Sequence, residues 1–192
     1  GAQVQQVLKK AAGLDIQIIC ALHGPVLKQP LDEYFRLYDL WSRWEAEEEG
    51  VVIACTSVYG HTMQAAQMLL DELKALGCKK VVLNDLARCD MHEAVEDAFR
   101  YDKLVLCTTT YNGDIFPFMR SFLHHLTERG FQGRKIGLVE NGSWAPMAAR
   151  IMKGMLENSK NLSFADTTVR IQSALNDESR AQVKQLAREL MA

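Results

Sequence analysis

The sequence predicts an α/β protein built on a doubly wound, five-stranded parallel sheet, and three observations predict it. From Val51 onward, short apolar runs of strand length alternate with segments whose apolar residues recur every three or four positions. The run from Val51 is apolar and of strand length, then breaks into small and hydroxyl-bearing residues around one glycine before a helical pattern begins. Each strand is followed by a helical pattern, and such units require right-handed crossovers that place helices on both faces of the sheet.

Ahead of this region the chain has a different character. Residues 3–11 put Val4, Val7, Leu8 and Ala11 on one helical face, and Gly13 ends that helix. Ile16, Ile18 and Ile19 make a short strand that runs into Ala21-Leu22-His23-Gly24-Pro25. From Pro30 a second helix carries Leu31, Tyr34, Phe35, Tyr38, Trp41 and Trp44 at intervals of three and four. So large an aromatic stripe has to cover either the domain that follows or a partner chain. Residues 45–50 read as an acidic linker with a glycine stop. The domain boundary is placed there, with a helix–strand–helix extension over 1–49 and the α/β domain over 50–192.

In the α/β domain the strand over 51–55 leads to a helix bearing Ala66, Leu69, Leu70, Leu73 and Leu76. Gly77 caps that turn, 80–83 form a shorter second strand, and a helix over 91–99 leads to the third strand, 103–108. A helix over 118–126 stops near Gly130. The fourth strand, 135–139, precedes a helix with Ala148, Ile151, Met152 and Met155. Residues 166–171 give the fifth strand, and Val183, Leu186, Ala187 and Leu190 mark the last helix.

With 192 residues, 48% hydrophobic and 24% charged, the chain has the make-up of an ordinary soluble globular protein. A net charge of −2 gives no electrostatic case for nucleic acid or an acidic membrane surface. No apolar run approaches the roughly 18 residues that cross a bilayer, and the start lacks the layout of a secretion signal. Gly1 reads as a cloning scar. Cys20, Cys55, Cys78, Cys89 and Cys107 contain no Cys-x-x-Cys pair, and their odd number argues against a disulfide framework. Cys20, Cys55 and Cys107 each end an apolar run and are expected to be buried, reduced and structural, in a cytoplasmic protein.

In a doubly wound sheet a ligand sits beyond the carboxyl ends of the strands, where strand order reverses. The loops after strands one, three and four meet there, and all three differ from ordinary turns. The first, Thr56-Ser57-Val58-Tyr59-Gly60-His61-Thr62, ends at a helix N-terminus, where unpaired N–H groups and the helix dipole favour an anion. Without a second glycine or a lysine it fits neither the dinucleotide fingerprint nor the triphosphate loop. A terminal monophosphate held by neutral donors fits, and a plain β–α turn is the alternative.

The second loop, Thr109-Thr110-Tyr111-Asn112-Gly113, offers an aromatic wall and a backbone edge to a flat redox-active ring, and Gly113 lets the neighbouring peptide turn over. It reads equally as an Asn-Gly turn before a Pro-started helix. The third, Asn141-Gly142-Ser143-Trp144, carries a tryptophan that either stacks on a ligand or packs on Pro146 or the last helix. His124-His125 lack acidic partners at metal-ligand spacing and are expected to be surface or core residues.

Together these loops resemble the FMN site of the flavodoxin-like superfamily, and Ser57-Val58-Tyr59-Gly60-His61-Thr62 lies close to that family's phosphate-loop pattern. The resemblance implies strand order 2-1-3-4-5. It places the phosphate on the first loop, the inner edge of the ring on Thr109 to Gly113 and its outer side on Asn141 to Trp144. FMN is favoured over FAD because no surface for adenine and a second phosphate is evident.

The first 49 residues narrow the family. A strand running into Leu22-His23-Gly24-Pro25, then a helix rich in Tyr and Trp, then a flavodoxin-like domain is similar to the junction in flavodiiron proteins, the A-type flavoproteins. In that family the tail of a metallo-β-lactamase-like domain, with its last histidine ligand in a His-Gly-Pro type turn, leads into the FMN domain. The resemblance makes His23 that ligand. No His-x-Glu-x-Asp-His run is present, so the chain is not expected to build a diiron centre alone. It would be the C-terminal part of a longer protein, or one whose metal domain was lost. The implied task is electron relay, with no catalytic residue in this chain. Electrons would come from a rubredoxin-like donor or a reductase and pass through FMN to a diiron centre that reduces O2 or NO. In that family the centre usually lies in the neighbouring subunit of a head-to-tail homodimer.

Two other readings share the fold. One is a free-standing flavodoxin-like NAD(P)H:quinone reductase, and the other is a cofactor-free binding module. A phosphoryl receiver would need an acidic cluster that Cys55-Thr56 and Thr108-Thr109 do not supply.

Overall fold

The computed structural model describes residues 1–192, which fall into two units, Gly1–Glu47 and Glu48–Ala192. The first contains α1 (Ala2–Ala11), β1 (Ile18–Cys20), β2 (Val26–Lys28) and α2 (Asp32–Ser42). The extension is therefore helix–hairpin–helix, not helix–strand–helix. Val26-Leu27-Lys28 pairs antiparallel with β1, Ile18 opposite Lys28, and a run of three residues is too short to show a period.

Leu31 is buried in this unit, and Gln5 on α1 reaches α2 through hydrogen bonds to Asp39 Oδ1 (2.8 Å) and Ser42 Oγ (2.7 Å). Yet α1 buries none of its residues, and Tyr34, Tyr38 and Trp41 keep 39–49% of their surface exposed. Cys20 is exposed, against expectation, because only Ile19 on its strand faces inward.

The second unit runs β3 (Glu48–Cys55), α3 (His61–Ala75), β4 (Val81–Asp85), α4 (Met91–Arg100), β5 (Tyr101–Tyr111), β6 (Asp114–Ile115), α5 (Pro117–Glu128), β7 (Lys135–Asn141), α6 (Ala148–Met155), β8 (Ser163–Ile171) and α7 (Asp177–Met191). The main strands order as β4-β3-β5-β7-β8, all parallel. Counted in chain order this is 2-1-3-4-5, the flavodoxin-like arrangement the loops imply. Strand order reverses between β3 and β5, so their carboxyl ends open the crevice.

Side-chain alternation separates two cores. Val52, Ala54, Leu104 and Leu106 pack with Ala94, Ala98, Phe122, Leu126 and Met152 from α4, α5 and α6. Val51, Ile53, Val105 and Val139 pack with Leu69, Leu73, Val183, Leu186 and Leu190 from α3 and α7. Helix ends are set locally. Asp90 accepts the N–H of His92 (2.7 Å) at the start of α4, and Asn176 with Ser179 forms a reciprocal capping box on α7.

The expected linker over 45–50 is only partly a linker, because β3 already begins at Glu48. Gly50 is a strand residue there, not a stop. A Cβ on it would stand 2.6 Å from the Tyr101 ring and 2.9 Å from the Lys80 backbone oxygen, so close approach of neighbouring strands requires glycine.

Burial pushes the Cys55 thiol up to about 12, aided by the nearby Asp85 charge, and burial carries the Cys107 thiol well above its usual value. Both thiols are raised above the unfolded range. Each contributes stability that is complete below about pH 8.5 and declines as pH rises, for Cys55 toward 12. An alkylating reagent at pH 8 is expected to label Cys20 rapidly and to reach Cys55 and Cys107 only after unfolding. Peptide mass mapping checks this, and prompt labelling of Cys107 in the folded chain would contradict the packing.

Candidate functional site

Three junctions converge at the carboxyl edge of the sheet. After Cys55 the chain leaves β3 through Thr56, whose buried hydroxyl lies 2.6 Å from that of Thr108 and ties β3 to β5 beneath the crevice. Gly60 then turns the chain into α3 with φ +90°, and its N–H donates to Ser57 Oγ at 3.0 Å. Only glycine takes that conformation freely. No side chain caps α3, so its first-turn N–H groups, lacking carbonyls four residues back, point into the loop.

The second junction contains the Asn-Gly turn before a Pro-started helix that is one of the two readings of its sequence. β5 continues to Tyr111, turns at Asn112 (φ +51°) and Gly113 (φ +73°), and pairs back through β6, Tyr111 opposite Asp114. Two successive positive φ values give a hairpin turn for which Asn-Gly is the preferred pair. Thr110 Oγ1 accepts the N–H groups of Met147 (3.0 Å) and Ala148 (3.3 Å) and so caps α6, while Thr109 Oγ1 donates to the Asn141 carbonyl (3.1 Å). The Tyr111 ring stands edge-on to Phe116, centroids 5.2 Å apart. The Arg120 guanidinium hydrogen-bonded to Asp114 holds that carboxyl below its usual range, helped by the Ile115 N–H.

The third junction follows Glu140 and Asn141, both buried. Glu140 accepts the N–H of Ala149 (3.0 Å) and the Nε of Arg170 (3.0 Å). Asn141 Nδ2 donates to Thr62 Oγ1 (3.2 Å) and to the Ser173 carbonyl (3.0 Å), and its Oδ1 accepts the Ser173 N–H (3.1 Å). Its carboxamide is engaged entirely within the protein. Gly142 sits in a crowded place, where a Cβ would meet Thr110 Oγ1 at 3.2 Å and Pro146 at 3.3 Å. Trp144 neither packs on Pro146 nor on α7 in any way that covers it, for 88% of its surface is exposed.

These junctions enclose a cleft of about 400 Å³. The first contributes Ser57, Val58, Tyr59, His61 and Thr62, the second Thr109, Thr110, Asn112 and Gly113, and the third Asn141, Gly142, Ser143 and Trp144. Thr56, Gly60 and Tyr111 shape the walls from behind or beside it. No lysine, arginine or carboxylate lines the cleft. His61 Nδ1 is buried and has no hydrogen-bond partner. An anion at this end would be held by neutral donors and a helix N-terminus.

No protein-family model matches the chain. A type A flavoprotein of Rhodobacter capsulatus is 29% identical to it over 162 residues, 82% of this chain and 37% of the relative. Among solved structures, the rubredoxin oxygen:oxidoreductase of Desulfovibrio gigas superposes with a TM-score of 0.88 at 17% identity, covering 98% of this chain and 47% of its own. The flavodiiron protein of Giardia intestinalis does so with a TM-score of 0.88 at 19% identity, covering 99% of this chain and 48% of its own. A flavodoxin from the domain Archaea matches 73% of the chain with a TM-score of 0.62. The chain is thus similar in sequence to type A flavoproteins and in fold to flavodiiron proteins.

The chain spans less than half the length of these flavodiiron relatives. His23 lies exposed in the turn between β1 and β2, and no group of three or more His, Cys, Asp or Glu side chains is arranged to hold a metal ion. His124 does have an acidic partner, Glu128 at 3.2 Å, one helical turn on, which makes an exposed pair. The lining residue absent from the expected set is Ser173. It sits in Gln172-Ser173-Ala174, which lacks the Gly, Pro or Asn that marks most tight turns, so sequence carried no signal for it. No helix of the chain is long and apolar enough to cross a membrane.

Proposed function

We propose that this chain is the FMN-binding, electron-transfer portion of a cytoplasmic flavodiiron-type oxidoreductase. In this reading residues 1–49 are the tail of a metallo-β-lactamase-like domain and 50–192 the flavin domain. The observation that carries it is the cleft itself. At one end stand hydroxyls and the N–H groups of a helix N-terminus, and around it two aromatic side chains, Tyr59 and Trp144, are 89% and 88% exposed. Exposing two large aromatics costs little only if each has a flat ligand to cover.

The residues present fit FMN. The orphaned Nδ1 of His61 and the hydroxyls of Ser57 and Thr62 surround one anchor point for a phosphate, with no fixed charge to repel it. Tyr59 and Trp144 would cover the faces of the ring and keep water from it, and the Asn112-Gly113 backbone would meet its edge. FMN, when bound, supplies electron transfer in single or paired steps. Asn141, with its carboxamide already satisfied, holds the loops in place and does not reach for the ligand.

The donor would be a rubredoxin-like protein or a reductase, and the acceptor a diiron centre reducing O2 or NO, completed by the remainder of a longer chain with His23 among its ligands and served across a homodimer. Support for this comes from the flavodiiron relatives, whose chains are more than twice as long. A turnover assay separates relay from enzyme. The FMN-loaded chain is expected to oxidise NAD(P)H negligibly with or without an added quinone. Sustained quinone-dependent turnover would instead make it a free-standing NAD(P)H:quinone reductase.

A further inference from the structure

We infer that Ser173 is a ligand for the polar arm of the bound flavin, the hydroxylated chain next to the phosphate, presented by a strained turn that Asn141 holds in place. This rests on the flavin reading above. The turn after β8 closes over three residues, with the Ala174 N–H donating to the Gln172 carbonyl at 3.1 Å and Ser173 at the centre with φ +71°. A γ-turn with positive central φ is the rare and strained kind, and serine gains nothing there that glycine would not give at lower cost. Strain of this sort persists where the surroundings impose it and gathers at ligand sites.

Packing does not explain the turn. Gln172, Ser173 and Ala174 are all exposed, and the Ser173 hydroxyl has no partner in the protein. What fixes the turn is the Asn141 carboxamide, which grips the Ser173 N–H at 3.1 Å and its carbonyl at 3.0 Å. The same carboxamide donates to Thr62 Oγ1 at 3.2 Å, in the first turn of α3. Ser173 is thus one side chain away from the anchor point for the phosphate, with a free hydroxyl lining the cleft. That places it beside the part of the ligand that follows the phosphate.

The test compares FMN, riboflavin and lumiflavin, which lacks the hydroxylated arm, by fluorescence titration of the wild-type, Ser173→Ala and Ser173→Gly chains. One lost hydrogen bond predicts that FMN and riboflavin each bind about tenfold more weakly to both variants, with lumiflavin unchanged. Thermal melting of the flavin-free chains is a second readout. Ser173→Gly, freed of the positive-φ strain, is expected to melt no lower than wild type. Unchanged FMN affinity in Ser173→Ala, or equal weakening for lumiflavin, would overturn the assignment. A wild-type chain that bound none of the three would overturn the flavin reading itself, and this inference with it.

Discussion

Gly60→Val is expected to weaken FMN binding by on the order of 100-fold. A Cβ at position 60 would meet nothing within 4 Å, so the cost is not a clash. It lies in the backbone, because φ +90° is a conformation that β-branched residues avoid, at about 1–3 kcal/mol. The chain can escape by rotating the residue, but that breaks the Gly60 N–H bond to Ser57 Oγ and swings the loop away from the start of α3. Either outcome removes the preformed donor array. Gly60→Asn separates the explanations, since asparagine tolerates left-handed φ and should recover most of the affinity. Isothermal titration with FMN measures both, and wild-type affinity in the valine variant would remove the loop from the site.

Phe122→Ala is expected to destabilise the Glu48–Ala192 unit by about 3–5 kcal/mol, the range for a fully buried phenylalanine. Phe122 lies on α5 within the core that α4, α5 and α6 form against the sheet, and none of its surface reaches solvent. Its removal leaves a cavity bordered by strands that cannot close it without breaking register with β5 and β7. Urea unfolding should show a lower midpoint with a similar slope. A loss below about 1 kcal/mol would mean that the core is less tightly packed than described.

The two variants act on parts of the molecule that sequence disclosed unequally. The sheet was legible because Val51-Val52-Ile53, Leu104-Val105-Leu106 and Ile136 to Val139 are buried on both faces, which leaves a continuous apolar signature. The first loop was legible as a strand-to-helix junction with a glycine and hydroxyl residues, and it lines the cleft. Four features were not. β2 and β6 contain three and two residues, too few to show a period. Gly50 looked like a linker stop because the crowding that demands it comes from Tyr101 and Lys80, both distant in sequence. Ser173 joins the cleft only through the carboxamide of Asn141, 32 residues away, and no local pattern encodes that bond.

Asn141 shows the same limit from the other side. Its position after the fourth sheet strand marked it as a residue that would touch the ligand, and it does line the cleft. Its hydrogen bonds to Thr62 and Ser173 give it a different task, fastening the first turn of α3 to the turn after β8. Residue type and spacing placed it at the site, while only the geometry distinguishes a contact from a support.

The measurement that tests the account most directly is the absorption spectrum of the purified chain, before and after incubation with FMN, followed by acid release and chromatography of the bound chromophore. A yellow protein with oxidised-flavin bands that releases FMN in stoichiometric amount is the result predicted by the cleft of Ser57, Thr62, Tyr59 and Trp144. A colourless protein that takes up no added FMN would contradict it and leave a flavodoxin-like binding module in place of an electron carrier.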